Sequence, residues 1–486
     1  MKIEADITAF QPEPISLETP TSHSLIERLD RLPATGYIWK LVGLLGVGFF
    51  FEVYDILYAA YVAPAMIRSG IFASGSAHWF GFGGVAAFIS SLFSGLFVGT
   101  MFCGFLADRF GRRAIFTYSL IVYAVATVFI AFQTTAGGAN LWRFVAGVGL
   151  GVEMVTIGAY VSEFVPRAVR GRAFALVQAV GFTAVPVAAF LALKLVPTAP
   201  FGLDGWRWVV LAGGAGAVFA WFLRRALPES PRWLVQKGRL DEAQAVVAAI
   251  ESRVQREFGR PLPPVAQQLA PTKASNGGRV TLMTGSLLKR VVILSIYNIF
   301  STVGYYGFAS WVPALLVKQG IPITSSLLYS SLIALAAPLG PALGLILGDR
   351  IERKTQLAAV AILIAAAGML FARTTFVPLL IAMGVLITIA SNTMTYCLHT
   401  YQAELFPTSI RARAVGLVYS WSRITAIVVP FAIAWILAHD GPPGVFLFVL
   451  VSEAICVAAI LFGPRTANQS LEEVSAPHSP NLGNRS

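Results

Sequence analysis

Five charged side chains stand in sequence that is otherwise apolar. Glu52 and Asp55 lie in FFFEVYDILYAAYV, Arg143 and Glu153 in WRFVAGVGLGVEMV, and Arg423 in SWSRITAIVVPF. A charge deep in an apolar run is costly to hold, so it faces a wet cavity or a partner of opposite sign. The chemistry open to such a set is proton exchange at the carboxylates and recognition of a carboxylate or phosphate by the guanidinium groups. Glu52 and Asp55 are three apart and share one helix face. At about 1.5 Å per residue they sit roughly 18 to 22 Å into their segment, near the middle of a bilayer. Glu153 reads as a second proton site, a substrate ligand or a structural partner of Arg423. For Arg423 the partner is either an anionic substrate or an internal acid.

The elements that position these charges are membrane spans. The chain has 486 residues, of which 56% are hydrophobic and 12% charged, against roughly 45–50% and about 25% in an ordinary soluble domain. Its mean hydropathy is +0.71. Counting about 20 apolar residues per span, twelve segments are expected, near 38–65, 84–105, 114–133, 140–162, 173–196 and 207–224, then 288–317, 326–348, 357–373, 376–402, 414–438 and 443–463. This is an all-α membrane fold with a six-helix bundle over 38–224 and a second over 288–464. The net charge of +12 is spread in short basic clusters between the spans, which sets topology and does not form a nucleic-acid patch. Basic loops stay cytoplasmic, so both termini are expected inside the cell membrane.

Residues 1–37 and 465–486 read as disordered cytoplasmic tails. Between the bundles, 225–287 forms a cytoplasmic loop in which Leu240, Ala243, Val247, Ile250 and Val254 recur at helical spacing, predicting a surface helix over 239–258. Cys103, Cys397 and Cys456 fall inside spans without metal spacing and read as small apolar residues. Lys194 and Glu453 are read as lying near span ends, where they reach the interface.

The two halves repeat one another. Asp108, Arg109, Arg112 and Arg113 of GFLADRFGRR shift by 241 residues (349 − 108) onto Asp349, Arg350, Arg353 and Lys354 of GDRIERK. The same shift carries Tyr160, Glu163, Pro166, Arg170 and Arg172 onto Tyr401, Glu404, Pro407, Arg411 and Arg413. Charges present in both halves belong to shared architecture; charges present once become candidates for substrate and ion chemistry. Asp108, Glu163, Asp349 and Glu404 are expected at cytoplasmic helix ends, pairing with arginines of neighbouring helices and holding the bundles together on the inner side. Gly104 and Gly111 permit close approach and a sharp turn.

GFLADRFGRR, PESPRWL at 228–234 and the two Y-x-x-E-x-x-P-x-x-x-R runs resemble the major facilitator superfamily, in particular its sugar porter, aromatic acid symporter and organic ion transporter branches. The likeness covers roughly 38–464. FEVYD resembles the D-G-x-D signature of aromatic acid symporters and the G-Y-D of sugar porters, with Glu52 in place of the first Asp and Val53 in place of Gly. Arg143 opens a stretch like the sugar porter R-x-x-x-G-x-G-x-G, and in proton-coupled members this Arg meets the first-helix Asp. The resemblance therefore implies an Asp55–Arg143 pair that holds while Asp55 is ionised and releases Arg143 when a proton arrives. It also implies a cavity-facing Arg423. Gln178 falls where sugar porters carry a hexose-binding Gln, although their paired Gln is missing from IYNIFSTVGYYG of the seventh span. Tyr58, Asn298, Tyr305, Tyr306, Trp311, Asn392 and Tyr396 complete the expected cavity lining.

The resulting expectation is a monomeric proton-coupled symporter of a small organic anion, working by alternating access, with a proton, a small molecule and the bilayer as partners. A sugar porter, a facilitative uniporter and a non-transporting sensor are the alternatives. No G-x-x-x-x-G-K-[ST] loop supports an ATP-driven pump and no catalytic or metal set supports an enzyme, so no cofactor is expected. AVGFTAVPVAAF lacks the G-P-x-x-G-G of drug antiporters.

Overall fold

Inside a bilayer each backbone N–H and C=O must be satisfied within the protein, which turns long apolar runs into helices. The computed structural model describes residues 22–72, 84–110, 112–166, 169–224, 227–265, 285–347, 351–406 and 410–464. The first half contains α1 (Ser22–Asp30), α2 (Gly36–Arg68), α3 (Gly84–Phe110), α4 (Arg112–Ala131), α5 (Ala136–Phe164), α6 (Arg170–Phe182), α7 (Ala184–Leu195) and α8 (Gly205–Arg224). Two helices follow in the central loop, α9 (Pro231–Gln236) and α10 (Leu240–Phe258). The second half contains α11 (Gly285–Ala309), α12 (Val312–Lys318), α13 (Ile323–Ala334), α14 (Leu339–Leu347), α15 (Arg353–Arg373), α16 (Val377–Glu404), α17 (Arg411–His439) and α18 (Gly441–Leu461). Among the described residues nine helical segments are long and apolar enough to cross a membrane, and α4, α5 and α8 pack among them. The duplication extends to helix boundaries: α4 and α15, α5 and α16, and α6 and α17 each begin 241 residues apart (353 − 112, 377 − 136, 411 − 170).

Each half packs chiefly on itself, through α3 on α5 and α2 on α6 in the first, and α15 on α16 and α11 on α17 and α18 in the second. The halves meet where α3 touches α17, α7 touches α13, α6 touches α14 and α2 touches α12. Ser90 Oγ donates to the Ile427 carbonyl at 2.7 Å across that boundary.

Three segments expected as single spans are broken in two. Each break has a proline within a turn of it: Pro186 just past Thr183, Pro313 just past Trp311, and Pro338 within the 335–338 turn. Proline supplies no N–H for the preceding turn's carbonyl and its ring crowds that carbonyl, so the helix stops and restarts. Pro64 and Pro430 lie inside α2 and α17 without ending them.

Close approach of α3 and α5 requires glycine. A Cβ on Gly95 would meet Phe144 O at 2.1 Å, one on Gly99 would meet Val148 O at 2.2 Å, and those on Gly147 and Gly151 would meet Leu92 O and Leu96 O, each at 2.3 Å. Side chains on this seam would force the backbones apart.

The N-terminal tail departs from the disorder expected of it over its second part. In α1 and the turn after it, Leu25, Leu29 and Leu32 are buried in one cluster with Ile38 and Leu41 of α2, Trp233 and Leu234 of α9, and Val247, Ile250 and Val254 of α10. An amphipathic helix this short holds only because tertiary contacts cover its apolar face. The central helix lies where helical spacing placed it and ends at Gly259 in the left-handed region (φ 66°). Glu251 ties the cluster together, accepting from Arg28 and, at 2.8 Å, from Arg31. Asp30 faces Arg170 at 3.3 Å and Arg232 at 3.7 Å.

Burial alone would push the Glu251 carboxyl up, but the bonds from Arg28 and Arg31 outweigh it and hold the group below the usual glutamate range. A depressed carboxylate stabilises the fold above its unfolded-state value, about pH 4.3, and that contribution is lost as the pH falls through the folded value. With both arginines partly exposed, the network is worth about 1 kcal/mol. Glu251→Gln is expected to speed proteolytic cleavage of 22–35 roughly five-fold at neutral pH, whereas unchanged cleavage would show that packing alone holds α1. Gly147→Ala is expected to cost about 1–3 kcal/mol by overpacking the α3–α5 seam; an unaltered thermal unfolding midpoint in detergent would contradict that close approach.

Candidate functional site

Arg143 sits eight residues into α5, on the helix that the glycine seam draws against α3, and Asp55 sits past the middle of α2. Both side chains are 0% exposed and their charges meet directly, Arg143 Nη1 to Asp55 Oδ2 at 2.9 Å. Arg143 Nη2 also donates to the Asp55 carbonyl at 2.6 Å, and Nη1 donates to the Tyr58 hydroxyl at 2.7 Å. The guanidinium lies 4.4 Å from the Tyr58 ring centre and 5.0 Å from that of Phe88, which adds cation–π attraction where water is excluded. The second carboxylate oxygen of Asp55 accepts from Tyr123 of α4 at 3.2 Å. Two ions out of water carry a desolvation cost of several kcal/mol each, which only close pairing and further hydrogen bonds offset. Protonating Asp55 would remove the charge that opposes Arg143.

The other isolated charges lie nearby. Glu153 is fully buried on α5, and its charge acts on Tyr123, the residue that donates to Asp55. Glu52 is fully buried on α2, and its charge acts on Tyr306 of α11 and Arg423 of α17, across the boundary between the halves. Arg423 is 6% exposed, donates to the Tyr419 hydroxyl at 3.1 Å and lies 4.9 Å from that ring's centre.

Between the halves is a small cavity of about 40 Å³. Leu57 and Tyr61 of α2 and Val185 of α7 line it from the first half; Tyr305, Ser330, Thr388, Ser391 and Asn392 supply most of its polar wall from the second. It opens beside the α11–α12 break and the turn that ends α13, both of which contribute lining residues. The hydroxyl of Tyr305 reaches Asn392 Oδ1 at 3.4 Å. Ser330 Oγ and Ser391 Oγ are buried without a hydrogen-bond partner among the described residues, which leaves two hydroxyls for a bound molecule. Asp55 connects this wall to the ion pair, since Leu57 and Tyr61 follow it on the same helix.

Of the residues expected around the cavity, Tyr305 and Asn392 line it. Tyr58 instead serves Arg143. Asn298 is engaged inside the second half, donating to Leu294 O at 2.7 Å and accepting from Gln402 at 3.2 Å. Tyr306 packs edge-on to Phe93 across the halves at 4.6 Å. Trp311 is buried at the α11–α12 break, and Gln178 of α6 and Tyr396 of α16 are half-buried outside the lining. Tyr123, Ser330 and Ser391 were missed because a lone hydroxyl in an apolar span looks the same whether it faces a helix or a void.

In the repeated loops, Arg353 and Glu404 pair at 3.5 Å. Both belong to the second half, so this pair closes within a bundle and not between bundles, as the sequence alone had suggested for Glu404. Arg170 of the first half meets Asp30, from the tail, and Glu163 is half-buried at the end of α5. Gly104, Asp108 and Arg109 fall in the last turns of α3, and Arg112 and Arg411 open α4 and α17; their side chains, together with Gly111, Asp349 and Arg350, lie outside the described residues. Glu453 is not near a span end: it is 0% exposed and lies thirteenth in the 21 residues of α18.

Residues 44–477 match the model of a family described as sugar (and other) transporter. The putative metabolite transport protein YyaJ of Bacillus subtilis is 34% identical over 443 residues, covering 90% of this chain and 95% of that protein. The niacin transporter NiaP of Acinetobacter baylyi is 29% identical, covering 93% and 99%. Among solved structures the D-xylose-proton symporter superposes with a TM-score of 0.65 at 18% identity, covering 91% of this chain and 99% of that one.

Leaving Arg143 buried without its carboxylate should cost about 3–5 kcal/mol. Asp55→Ala is therefore expected to be strongly destabilising in detergent, and the double variant Asp55→Ala with Arg143→Leu to recover most of that loss. Additive losses in the double variant would contradict a coupled pair.

Proposed function

The chain belongs to the sugar (and other) transporter family, and from that membership we propose that it is a proton-coupled symporter of a small organic anion. It is a multi-pass membrane transporter with the major facilitator fold, and not an enzyme. In this reading it works as a monomer in the cell membrane, with the charged loops and both termini in the cytoplasm, by rocking one bundle against the other around a central site. The observation that carries the reading is the fully buried Asp55–Arg143 pair, whose acid stands on the helix that also walls the cavity.

With Asp55 ionised, Arg143 is held by its carboxylate, its carbonyl and Tyr58. A proton on Asp55 leaves the carbonyl and Tyr58 as the Arg143 partners and frees α2 to shift, which carries Leu57 and Tyr61 at the cavity wall with it. A ligand that binds more tightly to one arrangement of that wall biases the equilibrium by its differential affinity alone. A preference of about 5.5 kcal/mol suffices to invert a two-state population. Arg423 supports an anionic cargo, because a desolvated guanidinium prefers a carboxylate, and NiaP is named for niacin. Proton coupling is supported by the symporter named among the structural neighbours.

A neutral sugar is the second reading, favoured by one observation: no charged side chain is among the described residues that line the cavity. Uptake into proteoliposomes under an imposed pH gradient separates the two, with nicotinate, benzoate, a short hydroxy acid and xylose compared side by side. An acid is expected to accumulate, and Asp55→Asn to lose uphill uptake while retaining counterflow exchange. Preferred accumulation of xylose would overturn the anionic cargo, and uphill uptake by Asp55→Asn would overturn the coupling site.

A further inference from the structure

Glu453 is a carboxyl group outside the ion-pair cluster, on the far side of the cavity wall. It is 0% exposed, and neither of its oxygens has a hydrogen-bond partner among the described residues. At about 1.5 Å per residue it stands roughly 18 Å along α18 from Gly441, well away from either end. One of its oxygens rests on the backbone of α11: a Cβ on Gly304 would come within 1.9 Å of Glu453 Oε1. Glycine at 304 is what leaves the carboxyl room. The next residue, Tyr305, lines the cavity, so the acid backs directly onto the helix that forms the substrate wall.

No cation among the described residues compensates it. From α11 the titratable neighbour is Tyr297, whose hydroxyl is turned to the Leu357 carbonyl at 3.4 Å, and from α18 itself it is Cys456, whose thiol reaches the Tyr297 carbonyl at 3.8 Å. The charged groups of α15 (Arg353, Lys354, Arg373) and α12 (Lys318) stand at helix ends. On α17, Tyr419 and Arg423 bond to each other, and Arg413 and His439 are terminal. An ionised carboxylate here would bear a desolvation cost with nothing to offset it. Burial without a partner is affordable only for the neutral acid. The site is also unique to one half: the 241-residue shift (453 − 241) places Ala212 opposite it, and matching the starts of α8 and α18, which are 236 apart (441 − 205), places Ala217 there.

We propose that Glu453 is a second proton-binding site, a neutral carboxylic acid sealed between α18 and α11 whose proton exchanges with water when α11 moves away. The step is simple: the carboxylate takes one proton from water on the side to which the site is open, remains CO₂H while α11 closes over it, and gives the proton back to water when the site opens again. No other bond changes. This builds on the transport reading above, through the motion of α11, but does not depend on Asp55 being the coupling residue.

The test uses the full chain in proteoliposomes without substrate. Infrared spectra in H₂O and after transfer to D₂O resolve the carbonyl stretch of protonated carboxylic acids. At neutral pH the wild-type protein is expected to show a band that Glu453→Gln lacks and Asp55→Asn retains, and this band is expected to shift in D₂O as the site samples its open state. No Glu453-dependent band at neutral pH would mean an ionised carboxylate, and a band that never shifts in D₂O would mean a permanently sealed proton; either result overturns the proposal. Should Glu453→Gln fail to fold, Glu453→Asp, which keeps the acid but draws it away from Gly304, must move the band, and an unmoved band would assign it to another residue. Uphill uptake by Asp55→Asn with the Glu453 band intact would remove the coupling role of Asp55 and leave this site standing.

Discussion

A single buried ion pair sets the terms for the rest of the molecule. Arg143 cannot be neutralised, so its burial demands a carboxylate at hydrogen-bond distance and an exclusion of water that keeps the attraction strong. The supply of that carboxylate fixes where α2 lies against α5. The glycine seam between α3 and α5 fixes where Arg143 itself lies, because only bare backbones can approach so closely. Tyr58 and Tyr123 then fill the remaining hydrogen-bonding capacity. A small change in charge at Asp55 is thus felt by three helices of the first half together.

The two halves divide the work. The first carries the ion pair, and the second supplies most of the hydroxyl and amide groups of the cavity wall. Repetition marks the frame, in which three helix pairs begin at matched positions, whereas Asp55, Arg143, Arg423 and Glu453 have no charged equivalent under the same shift. The helix breaks follow a related logic. At the α11–α12 break and the turn after α13, prolines interrupt spans beside the cavity, where freed backbone groups are tolerated because they border a void and not lipid.

Much of this frame was legible in the residues. Apolar run lengths gave the spans, and the 241-residue repeat gave their pairing. The charge of Asp55 and Arg143 inside such runs marked them before any contact was visible. What remained hidden depends on side-chain direction. A tyrosine or serine in an apolar helix carries no mark of whether it meets a void, an arginine or a packed carbonyl, which is why Tyr58 and Asn298 turned to structural partners and Ser330 and Ser391 went unnoticed. Glu453 was assigned to the interface although the expected span at 443–463 already centred on it, because a lone acid in a run of Val, Ala and Ile was assumed to reach water. The helix at 22–30 was hidden for a different reason, since the cover of its apolar face includes α9 and α10, which lie some 200 residues further along the chain.

In the proposed mechanism the Asp55–Arg143 contact is governed by protonation of Asp55. Solid-state NMR in liposomes can measure it directly, as the distance between the labelled Asp55 carboxyl carbon and the Arg143 guanidinium nitrogens. Direct contact is expected at neutral pH, in keeping with the 2.9 Å separation of Nη1 and Oδ2, and a lengthening of that distance on acidification. A distance that stays the same across the pH range, while transport still responds to a proton gradient, would contradict it.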